Sequence, residues 1–211
     1  MKFSKQEIMF LTSVSRGRRP LGVTLEIPSK GNMEEYVERT IQQLTNKNIL
    51  DEKRKLTKDG AQILSIWERY RNSEKHIFIN GIWMAVLSEG KLIVLIPLED
   101  GYEVQVMMPE LIMFRILKEN QYLCLQEAEA VRGKWENLDI AVWLPKVKAM
   151  DSCMLLKEYQ NGKIIGNHIY CMKEMEGWLI NLERKRVRRL SSRVMRRQMY
   201  SILGGSENGY N

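Results

Sequence analysis

The sequence predicts an α+β fold: a central antiparallel sheet built from two pseudo-twofold related three-stranded units, flanked by helices. Three observations predict it. The first third of the chain carries apolar residues at helical spacing. The middle and the last third switch to short β-rich runs broken by Gly-containing turns. Those two β-rich regions share one order, strand, Gly turn, strand, Gly turn, strand, helix, over about Trp83 to Glu119 and Cys153 to Leu203. No Pro/Gly/Ser-rich linker separates the copies, so residues 1–203 read as a single domain with halves of about 1–125 and 126–203. Residues 204–211 read as a flexible polar tail.

Each element has a local reason. Ser4 and Glu7 have the spacing of a capping box ahead of Ile8, Phe10 and Leu11. Arg16 to Pro20 breaks that helix, and residues 21–27 read as a short strand. Asn32 with Glu35 suggests the next start, followed by Tyr36, Val37, Ile41 and Leu44 at helical spacing. Thr57 can cap a third helix carrying Ile63, Leu64, Trp67 and Tyr70. Strand-like runs then span His76 to Ile82, Trp83 to Leu87, Lys91 to Leu98 and Tyr102 to Met108. Pro109 can open a helix bearing Leu111, Ile112, Phe114, Ile116 and Leu117. Gln126 to Asn137 reads as a partly helical connection. The final third has strands at Cys153 to Tyr159, Lys163 to Met172 and Gly177 to Leu182, with Asn161-Gly162 as a two-residue hairpin turn. A long helix is expected from about Glu183 to Leu203.

Composition narrows the function. The longest nearly apolar stretch, Ile82 to Leu98, is interrupted by Ser88, Glu89, Gly90 and Lys91, which predicts no membrane insertion. Glu7 and the lack of a small-residue cleavage site argue against a secretory signal, so a cytoplasmic protein is expected. Cys124, Cys153 and Cys171 include no CxxC pair; Cys153 and Cys171 could face each other across a hairpin. The net charge is +7, and the segment Arg184 to Arg197 holds eight Lys/Arg and no acid, so the rest of the chain is close to neutral. The charge belongs to one stretch.

Catalysis finds no support in the residues. His76 and His168 are the only histidines, and neither has an HxxxH or HxH partner. Cys171 and His168 are three residues apart, which places them on opposite faces of a regular strand. No serine sits in a GxSxG turn, and no Gly-rich phosphate loop precedes a helix. The expectation is no enzyme, no catalytic, metal or cofactor residues, no cofactor and no small-molecule substrate.

The basic helix is the candidate binding face. Val187, Leu190, Val194, Met195 and Met199 mark its apolar stripe; Arg184, Arg188, Arg189, Arg193, Arg196 and Arg197 cover much of the rest. Those six arginines are the expected partner-binding residues, against the plain alternative of a solvated surface. Nucleic acid is disfavoured there because aromatic residues for stacking are almost absent. The main rival function is a winged-helix DNA-binding regulator, suggested by the rhythm of residues 38–64. Its recognition helix, Met33 to Lys47, would set three Glu against Arg39 and Lys47, which is poor for a DNA groove.

The stretches FSKQEIMFLTSV (3–14), LTNKNILDEKRKLTKDGAQIL (44–64) and INGIWMAVLSEGKLIVLIPL (79–98), with the duplicated hairpin plan, resemble the EsaE/EssE family of type VII secretion chaperones of Firmicutes. The plan is also similar to the EspG chaperones of mycobacterial systems, and the likeness covers roughly residues 3–203. The resemblance implies an EspG-like sheet, a cytoplasmic chaperone or adaptor linked to virulence, and an LXG- or nuclease-type toxin or effector as partner. It further implies delivery to an EssC-type membrane ATPase at the inner face of the membrane. On these grounds, reversing Arg188, Arg189, Arg196 and Arg197 to Glu is expected to leave the fold intact and weaken partner binding.

Overall fold

A computed structural model describes residues 1–25, 33–124 and 131–205. The N-terminal β1 (Lys2–Ser4) runs directly into α1 (Lys5–Val14), whose first turn closes the expected capping box: Ser4 Oγ accepts from the Glu7 N–H at 3.2 Å, and the Glu7 carboxylate accepts from the Ser4 N–H at 2.7 Å. Glu7 is buried and is joined by Lys47 Nζ at 2.6 Å, so the cap also ties α1 to the end of α2 (Met33–Asn46). Thr57 caps α3 (Lys58–Asn72) by accepting from Gly60 N at 2.9 Å.

Residues 21–25 are turn and coil, and the remainder of the strand expected at 21–27 lies outside the described residues, as does Asn32. Tyrosine hydroxyls take the backbone groups that a neighbouring strand would have used. Tyr70 donates to the Leu21 carbonyl, and the Thr24 N–H donates to the Tyr102 hydroxyl.

Four strands follow: β2 (Lys75–Ile79), β3 (Ile82–Val86), β4 (Leu92–Leu98) and β5 (Gly101–Met107). Asn80-Gly81, both at positive φ, makes the β2–β3 turn, so the expected first strand ends three residues early. Pro109 occupies the first turn of α4 (Pro109–Glu119), and a short 3-10 turn covers Gln121–Cys124.

The second half contains β6 (Glu136–Asn137), α5 (Ile140–Lys148), β7 (Ser152–Gln160), β8 (Lys163–Lys173), β9 (Glu176–Asn181), β10 (Arg186–Arg189) and α6 (Ser192–Ile202). Of the connection expected at Gln126 to Asn137, residues 126–130 lie outside the described residues; the rest is extended along β10.

Two corrections concern this half. The helix expected from Glu183 starts only at Ser192, because Lys185 turns the chain through positive φ and Arg186–Arg189 pairs with β9, burying Val187. Each β-rich region therefore contributes four strands, β2–β5 and β7–β10, rather than three. Asp139 caps the unexpected α5 by accepting from the Ala141 N–H. Of the tail, Gly204 and Gly205 close the end of α6, with Gly205 N bonded to the Tyr200 carbonyl; the remaining residues lie outside the described set.

All the strands form one antiparallel sheet in the order β1-β5-β4-β3-β2-β7-β8-β9-β10-β6. Both meanders run outward from the central β2–β7 pair, where Lys75 faces Gln160 and Ile79 faces Leu156. One face packs α4, α6 and the 3-10 turn onto Ile77, Met84, Leu92, Met154 and Leu156. The other packs α1, α2 and α3 onto Ile93, Leu95 and Tyr102 of the first half, while α5 sets Trp143 and Val147 against Cys171, Ile180 and Val187 of the second.

His76 is buried in β2. Its Nε2 lies 2.8 Å from the Tyr70 carbonyl and so carries the proton of the neutral ring, while Nδ1 is buried with no partner. Burial pushes its pKa below the ordinary value, Arg18 pushes the same way, and the Tyr70 bond opposes them. Burial, with Arg188 and Arg184, shifts His168 in the same direction. The unfolded chain therefore takes up these protons first. The histidine contribution to stability is complete above about pH 6.5 and is lost as pH falls through the lower folded-state values. Thermal melts between about pH 7.5 and about pH 5 should show a smaller acid-side loss of Tm in His76→Phe/His168→Phe than in the natural chain. An equal loss in both would show that other groups carry it.

Candidate functional site

The six arginines do not share a helix. Arg184 lies in the turn before β10, Arg188 and Arg189 lie on β10, and only Arg193, Arg196 and Arg197 lie on α6. Their environments differ. Arg188 is half-buried with its guanidinium 4.3 Å from the centre of the Trp135 ring, a cation–π contact, and burial disfavours its charged form. Arg189 pairs with Glu176 at 2.7 Å, and Arg196 donates to the Leu123 carbonyl. Arg184, Arg193 and Arg197 are exposed.

The polar residues of the second half do not assemble into reacting pairs. His168 faces the α6 side of β8 with Tyr170, whereas Cys171 is buried on the α5 side, as their spacing predicts. The Arg184 N–H donates to Asn181 Oδ1, so the Asn181 amide donates to His168 Nε2 at 3.1 Å. Cys153 and Cys171 do face each other across β7 and β8, and both are free thiols whose pKa burial raises. Among the described residues no group of three or more His, Cys, Asp or Glu could hold a metal ion. No described helix is long and apolar enough to cross a membrane.

The segment with winged-helix rhythm forms α2, a short hairpin closed by the Leu50–Leu56 bridge, and α3. Its strands β2 and β3 are interior to the sheet rather than a free wing. Glu38 of α2 holds Arg54 through two bonds of 2.9 Å, and Glu35 holds Arg39.

A different place has the character of a binding site. β1 covers only the first part of the outer edge of β5, pairing Ser4 with Gly101, Phe3 with Tyr102 and Lys2 with Glu103. Gly101 permits this approach: a Cβ there would lie 2.0 Å from the Phe3 carbonyl oxygen. The ladder ends at Val104, whose N–H donates to the Met1 carbonyl at 2.8 Å and whose carbonyl accepts from the Met1 amino group at 2.9 Å. Beyond it β5 continues to Met107.

Beside this edge lies an apolar cleft of about 420 Å³. Phe3, Ile8 and Leu11 form one wall, Ile66 and Trp67 of α3 another, and Leu111 of α4 the end. The apolar surface carries on outside it. On α4, Ile112, Met113 and Ile116 are buried, while Leu111 is 55% and Phe114 67% exposed. Met1, Val106 and Met108 are exposed nearby in sequence and register. A contiguous apolar surface on a sheet edge is characteristic of a protein-binding site. Sequence reasoning placed Leu111 and Phe114 on a helix but not on its outer side. The visible signal was an apolar residue at nearly every position from Leu111 to Leu117, more than one buried face can absorb.

The stability cost of reversing the arginines should follow these contacts. Arg188→Glu or Arg196→Glu is expected to cost about 1–3 kcal/mol of stability, through the lost ring contact or carbonyl bond. Arg193→Glu/Arg197→Glu should leave Tm unchanged and is the variant that tests a docking role. Denaturant titrations check the ranking; equal stability of all three would reverse it.

A family model described as a domain of unknown function (DUF5081) matches residues 1–205. No curated protein matches the chain.

Proposed function

The chain belongs to the DUF5081 family, and from that premise we propose that it is a cytoplasmic chaperone or adaptor of type VII secretion rather than an enzyme. It binds a toxin or effector and delivers it to the membrane machinery, with an EssC-type ATPase as the receiving component. The observation that carries this reading is the open apolar edge at β5. An apolar cleft beside unpaired backbone, with Leu111 and Phe114 exposed next to it, suits a protein that holds another chain. The stretches that resemble EsaE-like chaperones fall on α1, on α2 through α3, and on β2 through β4, so they include two walls of that cleft.

The pseudo-twofold, EspG-like plan belongs to the same proposal, now with four-stranded units. The order helix, four strands, helix occurs twice, as α3-β2-β3-β4-β5-α4 and α5-β7-β8-β9-β10-α6. Each meander begins with a strand ending in an Asn-Gly turn, Asn80-Gly81 and Asn161-Gly162. The interval between these turns also carries Ile82, the start of β3, onto Lys163, the start of β8. Applied to the central pair, it turns Lys75↔Gln160 into Leu156↔Ile79, which is the observed partner. A twofold relation supplies a common reason for these coincidences.

The test is co-expression with an LXG-type or nuclease toxin encoded beside the gene. The natural chain should co-purify with it. Leu111→Asp/Phe114→Asp should melt at the same temperature but capture far less. Deleting the gene should lower the toxin's export or its stability in the cell, and no change in either would sink the proposal.

A further inference from the structure

The outer edge of β5 has a definite hydrogen-bonding phase. In an antiparallel strand the N–H and C=O of one residue point to the same side, and successive residues alternate. Val104 directs both groups outward, to Met1. Val106 therefore does the same, and its inward neighbours on β4 are served by Gln105 and Met107 instead. Among the described residues no backbone group pairs with Val106 on its outer side, and the residue is 45% exposed. A donor and an acceptor stand free at the mouth of an apolar cleft.

β1 shows what fits such an edge. It lies antiparallel to β5, and cross-strand partners share a face of the sheet. Phe3, opposite Tyr102, is buried in the core formed with α1 and α3. Met1, bonded to Val104, lines the cleft. The next position in that alternation is the one opposite Val106, and a side chain there enters the same cleft.

We infer that the β5 edge binds an extended segment of a partner protein by strand addition. The segment lies antiparallel to β5, exchanges two backbone hydrogen bonds with Val106 and places an apolar side chain between Leu11, Ile66, Trp67 and Leu111. This continues an interface the chain already makes with its own β1, and it deepens the proposed chaperone role, on which it rests. Recognition through backbone and one alternating apolar position is tolerant of sequence, and so fits partners that share shape rather than a motif.

The probe is an acetylated and amidated peptide of alternating Val and Thr flanked by lysines, titrated into the full-length protein. Three readouts follow it: Trp67 fluorescence, amide hydrogen exchange at Val106, and affinity. Saturable binding with slowed exchange at Val106 is expected. Val106→Pro removes only the outward donor, because the β4 ladder does not use that N–H, and a proline is tolerated on such an edge. It should weaken the peptide about tenfold, the loss expected for about one backbone hydrogen bond. The same peptide N-methylated at the amide facing Val106 should lose affinity equally against the unaltered protein, which keeps the test independent of how Val106→Pro folds.

Binding that is indifferent to both changes, or no binding, overturns strand addition. An amphipathic helical peptide that binds at Leu111 and Phe114 in place of the extended one also overturns it. Each of these outcomes leaves the chaperone reading to the co-purification and export experiment. Conversely, peptide binding with intact export in the gene deletion would uphold the edge and remove the secretion role.

Discussion

The β2–β7 pair is the joint on which the molecule depends. Without it the two meanders would be separate sheets, each with two raw edges. The joint is short, with Lys75 to Ile79 lying against Gln160 to Leu156, and its ends are fastened by the residues that also turn the chain. At one end the Asn80 N–H donates to the Leu155 carbonyl while Asn80 Oδ1 accepts from the Leu155 N–H. At the other the Asn161 N–H donates to the Glu74 carbonyl, and Asn161 Oδ1 accepts from Arg18. Asparagine can do this because it tolerates the left-handed conformation of the turn and still presents an amide. Apolar side chains fill one face of the joint, Ile77, Ile79 and Leu156, and rings cover the other, Phe78 and Trp83 at 5.1 Å and Trp83 and Tyr159 at 5.2 Å.

Closing the inner edges moves the problem of unpaired backbone to the two ends of the sheet, which solve it unequally. Along β10 the extended segment 131–138 supplies partners almost continuously: Gly133 to Arg189, Leu138 to Lys185, Ser191 to Val131, and the β6 pairs between. Along β5 the short β1 stops at Val104. The sheet therefore has one clothed end and one half-clothed end. The cleft lies at the second, because α1 must leave β1 at Lys5 to cross over α3, and the space left between α1, α3 and α4 is only partly filled by Phe3.

Local chemistry was legible in the sequence wherever it was self-contained. Ser4 with Glu7, Thr57, Pro109 and Asn161-Gly162 each announce a geometry that neighbours a few residues away complete. What escaped depends on contacts far along the chain. Arg186–Arg189 has one apolar residue, Val187, which fits the stripe of a helix with Leu190 and Val194 as well as it fits a strand; the choice is made by β9, which offers it an edge. Residues 140–148 are apolar on several sides around Pro145, so no period marks α5. Asn80-Gly81 was visible, but it sits inside an otherwise strand-like run and reads as part of it. The site itself was the least legible part, since its defining feature is a hydrogen bond that β1 is too short to make.

The charge distribution adds a final constraint on that site. An unpaired edge beside an apolar cleft invites a second copy of the same chain as readily as a foreign one. Net charge separates the two cases. Two copies each carrying +7 repel one another at every approach, and the repulsion is long-ranged at low ionic strength. An acidic or neutral partner meets no such barrier. The eight basic residues between Arg184 and Arg197 contribute all of this excess, yet β10 and α6 hold most of them away from the β5 edge. They leave the cleft apolar while still charging the molecule as a whole. Reading these arginines only as a docking face overlooks that they also keep the edge at the other end of the sheet available to another protein.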